Sequence, residues 1–247
     1  FANIVVIGPH FNSPVLSSGV LQAKDVLLLP GATLAVSGTG AIELGTPSAS
    51  GLLDVPSGAS LSLTGSAAVR NATGAQPMQL IIAGTLAALG MSEGNGVSFS
   101  GMASSGIILS GSSSLTLTNV SFSNGQAGGV LLDYARADTT AASGVRFIDQ
   151  SFLPGGFNVR ASGGGTLNIL VSSTSMGGPG WGGLFEQEVN GIINWATVQQ
   201  PPMPVQPQLL VSTGPAQPTF YSVLNNAQRI SLGQWRFTAL NGPAAIS

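Results

Sequence analysis

Short apolar runs recur along the chain at a nearly constant interval. The segments VLLL, GLLDV, LIIA, GIIL, VLLD, FNV and LFE are centred near Leu27, Leu53, Ile81, Ile108, Leu131, Asn158 and Phe185, and their separations are 26, 28, 27, 23, 27 and 27 residues. A second apolar series follows each run: Leu34 and Val36, Leu61 and Leu63, Leu86 and Leu89, Leu115 and Leu117, Leu167 and Ile169. A third comprises Ile42 and Leu44, Val69, Val97 and Phe99, Val120 and Phe122, and Val145 and Phe147. The beat is clearest where ATLAVSGTGAI, residues 32–42, aligns without a gap on ASLSLTGSAAV, residues 59–69. That alignment sets Leu34 against Leu61, Val36 against Leu63, Gly38 against Gly65 and Ile42 against Val69.

Three short alternating strands per 23 to 28 residues, separated by Gly, Ser, Asn or Pro, is the pattern of one coil of a parallel β-solenoid. Alternation sends every second side chain inward, where it stacks on its equivalent in the next coil. The Asn-Gly pairs beginning at Asn95, Asn124, Asn190 and Asn241 supply turns that tolerate positive φ. Gly and β-branched residues interrupt every window that a helix would need. The alternative is a β-sandwich, whose strands also recur every 8 to 12 residues or so, but sandwich strands do not ordinarily keep a beat of this length through six intervals. The expected fold is therefore all-β, a single-stranded parallel β-helix of about seven coils, about 34 Å long at a spacing of about 4.8 Å.

The coils, with LTLTNVSFSNG at 115–125 and LIIAGTLAALG at 80–90, resemble right-handed parallel β-helix proteins. That group includes pectate-lyase-like enzymes, phage tailspikes and secreted adhesins of the filamentous-haemagglutinin type. The resemblance spans about residues 25 to 197, its motifs are degenerate, and it implies a fold far more than an activity.

Outside those coils the pattern changes. Residues 1–24 carry ANIVVIG, a strongly β-forming stretch read either as an extra rung or cap, or as a strand that pairs with the open edge of a neighbouring subunit. Residues 198–218 begin with VQQPPMPVQPQ, four prolines in eleven residues, which predicts an extended arm. Residues 219–247 read as a C-terminal β segment containing TFYSVL and RISLGQWRFTAL. The expected subunit contacts are Ile4, Val5, Val6 and Ile7 at one end and Phe220, Tyr221, Trp235 and Phe237 at the other.

Composition narrows the partners. Charged residues are 6% of the chain, against roughly 25% in an average soluble domain. A surface so poor in charge associates readily unless its sticky faces are occupied, so a homo-oligomer or polymer is expected. Seven basic residues scattered over 247 make no nucleic-acid patch. No apolar run approaches the roughly 20 residues of a membrane-spanning helix, and the scarcity of aromatics argues against a porin-type barrel. The absence of cysteine excludes disulfides and thiolate metal sites. No leader is visible in FANIVVIG, which suits a processed start, and the Lys-poor, Ser/Thr/Gly/Ala-rich make-up resembles secreted surface proteins, so an extracellular or cell-surface location is expected.

Candidate chemistry is sparse. The densest charged cluster is Asp133, Arg136, Asp138, Arg146, Asp149 and Arg160. If Leu132 stacks on Val159, Asp133 lies beside Arg160, which reads first as an ion pair and second as a catalytic or glycan-binding set. The paired carboxylates of a glycoside hydrolase have no counterpart motif. His10 is the only histidine and reads as a turn residue, so a triad or multi-histidine metal site would have to form between chains. Glu186 and Glu188 in FEQEV read as solvent-facing or as weak cation ligands. Trp181, in GGPGWGG, is the best candidate for stacking on a sugar, while Trp195 and Trp235 sit in strand-like contexts; packing at a cap or subunit contact is the plainer reading for all three. No cofactor is expected and no catalytic constellation stands out. The function these features favour is a non-enzymatic extracellular structural protein, a self-assembling filament, sheath or surface-layer subunit with head-to-tail contacts. Its rivals are an adhesin or glycan-binding passenger domain that takes surface polysaccharide, and a polysaccharide lyase or hydrolase.

Overall fold

The computed structural model describes residues 2–9, 14–92, 94–148, 156–171, 186–197, 209–211, 220–222, 227–231 and 234–237. The backbone divides into two compact units, residues 1–198 and 199–247. His10, Asp149, Trp181 and the proline-rich stretch 198–208 lie outside the described residues.

The first unit is a parallel β-solenoid with three faces. Its first coil contains β1 (Ala2–Ile7), β2 (Val15–Leu16) and the start of β3 (Val20–Leu28). The coils that follow comprise the rest of β3, β4 (Thr33–Val36) and β5 (Ala41–Leu44); β6 (Leu52–Val55), β7 (Ser60–Gly65) and β8 (Ala68–Asn71); and β9 (Met78–Ile82), β10 (Thr85–Gly90) and β11 (Val97–Ser100). Next come β12 (Met102–Leu109), β13 (Leu115–Thr118) and β14 (Val120–Ser123), then β15 (Val130–Tyr134), β16 (Thr139–Ser143) and β17 (Arg146–Ile148). The described coils end with β18 (Phe157–Ala161) and β19 (Thr166–Val171), then β20 (Glu186–Glu188) and β21 (Ile192–Thr197). The second unit holds two antiparallel hairpins, β22 (Leu209–Val211) with β23 (Phe220–Ser222), and β24 (Ala227–Ser231) with β25 (Gln234–Phe237).

Every strand pair of the first unit is parallel, and the eight strands of the second face follow the order β2-β4-β7-β10-β13-β16-β19-β21. The handedness is right-handed, the sense favoured when a twisted strand feeds a parallel crossover. Strand β3 belongs to two faces: Val20–Ala23 pair with β5, Asp25–Leu27 pair with β6, and Lys24 is the corner between them. Parallel pairing runs back to Ala2, because Val5 lies on Val26 and Ile7 on Leu28.

Three interior columns form the core. On the first face Val26, Leu53, Leu80, Ile107, Leu132 and Val159 stack, each buried at 0–1% exposure. On the second Leu34 lies on Leu61 and Leu86, and Val36 on Leu63 and Ala88. On the third Ile42, Val69, Phe99, Phe122 and Phe147 follow one another in register. The last three rings stack with centroids 5.5 and 5.3 Å apart and planes within 9° and 19°. One assignment from the sequence needs correction. Leu89 points outward at 42% exposure and Ala88 takes the interior place. On the first face the inward residues are Val26, Leu80, Ile107 and Leu132, so Leu27, Ile81, Ile108 and Leu131 fall one position off the interior column.

Corners are held by left-handed backbone. A single residue, Asn119 at φ 53°, turns the chain from β13 into β14, and Gly144 at φ 61° occupies the equivalent corner one coil on. The Asn119 N–H donates to the Ser143 carbonyl at 2.8 Å, and its side-chain amide donates to the Gly90 carbonyl at 3.2 Å. A Cβ on Gly144 would sit 2.3 Å from Asn119 Oδ1, so only glycine fits above that asparagine.

Candidate functional site

The solenoid register disperses the charged cluster over three separate places. Asp133 of β15 lies directly across from Arg160 of β18. The Arg160 guanidinium donates to Asp133 Oδ2 at 2.6 Å, and the Ser162 hydroxyl donates to Oδ1 at 2.6 Å. Asp133 is 5% exposed, so this carboxylate is largely withdrawn from solvent and satisfied by neighbours in the next coil.

Arg136 and Asp138 belong to the turn between β15 and β16. Arg136 is 3% exposed; its Nε and one terminal nitrogen grip both carboxylate oxygens of Asp138 at 2.8 and 2.6 Å, and the same nitrogen donates to the Ser113 carbonyl at 2.7 Å. The Tyr134 hydroxyl lies 2.9 Å from the Asp138 carbonyl and 3.0 Å from both Asp138 Oδ1 and Thr140 Oγ1. The bidentate arginine draws the Asp138 carboxyl down to about 2, a shift only partly opposed by burial. Burial pushes the Tyr134 phenol up, and the bond to Asp138 raises Arg136. These groups bind one turn to its neighbours; Arg136 is too enclosed to meet a ligand.

Arg146 stands apart on the third face, where Ser98, Ser121 and Arg146 form an outward column on successive coils. The column borders a groove of about 300 Å³ whose lining includes Ser66, Asn95 and Asn119. One wall is made by Gly94, Asn95 and Gly96, from the connection between β10 and β11, in which an antiparallel bridge joins Ser92 to Asn95. The Ser66 hydroxyl ties it down by donating to Asn95 Oδ1 at 2.8 Å. Sequence reasoning placed Arg146 with the other charges and missed the groove; the available signal was the length of 91–96, set against one residue at the next coil's corner. It also missed a ladder on the same face in which Gln22 and Arg70 both donate to Glu43, at 3.3 Å and at 2.8 and 3.0 Å.

The two ends of the described solenoid differ. Among the described residues β1, β2 and the first half of β3 have strand partners on one side only. Their inward residues Val5, Leu16 and Leu21 are only partly buried, and Ile4, Val6, Val15 and Val20 are 56%, 53%, 68% and 50% exposed. Ile7 is buried. The Ile7 carbonyl accepts from Leu29 within its own chain, so the backbone groups of Ile7 and Val5 face β3 while those of Val6 and Ile4 face the open edge. At the other end Glu186 and Glu188 share the parity of Val159 and Ala161, which places them in interior columns and not toward solvent. Glu186 accepts the indole N–H of Trp195, Glu188 accepts the Ile193 N–H at 2.9 Å, and the Trp195 ring meets Phe147 edge-on at 6.1 Å.

For Phe220, Tyr221, Trp235 and Phe237 the structure gives strand positions: the first two on β23, the last two on β25. Among the described residues no group of three His, Cys, Asp or Glu side chains is placed to hold a metal, and no helix is long and apolar enough to cross a membrane. No protein-family model matches the chain, and no curated protein or solved structure matches it either. The fold is consistent with the pectate-lyase-like and filamentous-haemagglutinin-like group without singling out a member.

Proposed function

We propose that the chain is an extracellular or cell-surface structural protein that assembles into a filament, sheath or layer through its open N-terminal coil. The observation that carries this reading is the edge of the first coil: among the described residues β1, β2 and the first half of β3 have a strand partner on one side only, and Val5, Leu16 and Leu21 are only partly buried. Such an edge is a template for another strand. The opposite end of the solenoid is a poor mate. Laying Val5 and Ile7 of one copy on Glu186 and Glu188 of another would press carboxylates against hydrocarbon. The C-terminal strands of a neighbouring copy are the better donors, because two-stranded hairpins are marginal alone and gain from a third strand. In that form the contact is head-to-tail, with the strand of Ile4 to Ile7 accepting the segment that carries Phe220, Tyr221, Trp235 or Phe237.

The substitution V6P tests it. The Val6 N–H faces the open edge, so proline there leaves the bonds to β3 intact and removes a donor from the edge. Sedimentation velocity over a concentration series, with negative-stain microscopy, is expected to show assemblies of the wild-type chain. V6P should remain monomeric with an unchanged circular-dichroism spectrum. A wild-type chain that is monomeric throughout, or a V6P chain that assembles equally well, refutes the proposal.

A further inference from the structure

We propose that Asn124 is a site of spontaneous deamidation, converted in the folded chain ahead of Asn95 and Asn190. This is independent of the assembly reading. Each of the three is followed by glycine, which has no Cβ to obstruct ring closure on the preceding side chain. In the reaction the Gly125 nitrogen attacks Asn124 Cγ, a Cγ–N bond forms, the Cγ–Nδ2 bond breaks, and ammonia leaves carrying the amide proton. Water then opens the resulting succinimide at one of its two carbonyl carbons. Opening at Cγ leaves aspartate, and opening at the main-chain carbonyl leaves isoaspartate. Nothing is oxidised or reduced, and water is the only co-reactant.

All three asparagines are exposed, so access to water does not separate them. Their hydrogen bonds do. Asn95 Oδ1 accepts from the Ser66 hydroxyl at 2.8 Å, and the Asn95 N–H donates to the Ser92 carbonyl at 3.1 Å, which holds the side chain and its backbone together. The Asn190 amide donates to the Ser162 carbonyl at 3.2 Å, and the attacking nitrogen at that pair, the Gly191 N–H, is engaged by the Ala161 carbonyl at 3.3 Å. At the third pair neither the Asn124 side chain nor the Gly125 N–H makes a hydrogen bond among the described residues. Asn124 is placed by its backbone instead: it follows Ser123, which lies on Ser100, and its φ of 54° gives it the left-handed corner that Gly101 occupies one coil earlier at 81°. The product matters at that corner. The Ser123 carbonyl accepts from Gly101 at 3.3 Å and the Gln126 N–H donates to Met102 at 2.9 Å, so isoaspartate would add a main-chain atom between two points fixed to the preceding coil. Either product adds a negative charge to a chain whose formal charge is only −2.

The test is to incubate the full chain in mildly alkaline ¹⁸O-water, folded and in guanidinium chloride, and to follow each site by peptide mapping with tandem mass spectrometry. In the folded chain Asn124 should convert several-fold faster than Asn95 and Asn190, with ¹⁸O incorporated and isoaspartate among the products. In denaturant the three rates should converge, because the hydrogen bonds that separate them are gone. S66A releases Asn95 Oδ1 and should raise the rate at Asn95 while leaving that at Asn124 unchanged. Conversion of Asn95 or Asn190 in the folded chain as fast as Asn124, or an Asn124 that stays intact in the folded chain over a time in which it converts in denaturant, would overturn the assignment. A ranking that persists in denaturant would overturn it too, since local sequence and not the fold would then set the order.

Discussion

Removing the middle ring of the phenylalanine stack gives a sharp test of the packing. Phe122 is 1% exposed and stacks on Phe99 and Phe147, so F122A removes a fully buried ring and both of its aromatic contacts. Phe→Ala changes in cores cost about 3–5 kcal/mol, and each aromatic pair adds roughly 0.5–1.5 kcal/mol beyond area burial, so a loss of about 5 kcal/mol is expected. For a unit of this size that lowers the thermal midpoint by about 10–20 °C. The control is L89A, which trims a half-exposed outward side chain and should stay within about 0.5 kcal/mol of wild type. Urea unfolding followed by far-UV circular dichroism measures both. A double-mutant cycle adds the geometry: F99A and F122A should couple, whereas F99A and F147A, two coils apart, should be nearly additive. The reasoning fails if F122A costs less than about 1 kcal/mol, or if L89A proves the more damaging change.

Other expectations follow from the sites described. Because Asp138 is drawn from 3.8 to about 2, its contribution is complete above the unfolded value and is lost as pH falls through the folded one. D138N should therefore flatten that stretch of the acid limb of an unfolding-midpoint-against-pH curve and leave the slope near neutrality unchanged. D133N should destabilise by about 1.5–3 kcal/mol, since it weakens charge-assisted bonds to Arg160 and Ser162, and a D133N/R160Q cycle should show coupling. G96A should be severely destabilising because the new Cβ would lie 1.8 Å from the Asn119 carbonyl oxygen; G74A, with nothing within 4 Å, should cost only the left-handed backbone penalty of about 1–2 kcal/mol. Thermal unfolding of the pair separates steric from conformational cost.

The repeat was legible because the interior columns keep chemical character from coil to coil: Leu34 on Leu61, Ile42 on Val69, Phe99 on Phe122 and Phe147. Parity was harder to read wherever neighbouring positions are both apolar. LLL, LII and LL offer two phases of alternation, and the outer first face keeps Leu27, Ile81 and Ile108, so hydrophobicity alone does not pick the inward set. Leu89 misled for the converse reason, since its inward neighbour is only an alanine. The pairing of Asp133 with Arg160 could be read from register, as could a 27-residue match between Glu43 and Arg70 that went unread. The groove at Arg146 could not, because an insertion shows in sequence only as a longer spacing, and its partners come from separate coils. Nor could the inward turn of Glu186 and Glu188, since carboxylates in a strand ordinarily face water.

The central claim is that successive coils lie over one another in register, and the cysteine-free chain permits a direct test. Ala35, Ser62 and Ala87 form an outward column on the second face. Adjacent parallel strands bring Cα atoms to about 4.8 Å, within disulfide reach, whereas two coils separate them by about 9.6 Å. Under mild oxidation the A35C/S62C and S62C/A87C chains should each close an intramolecular disulfide, and A35C/A87C should stay reduced. Closure of the A35C/A87C pair, or failure of both adjacent pairs, would contradict the solenoid.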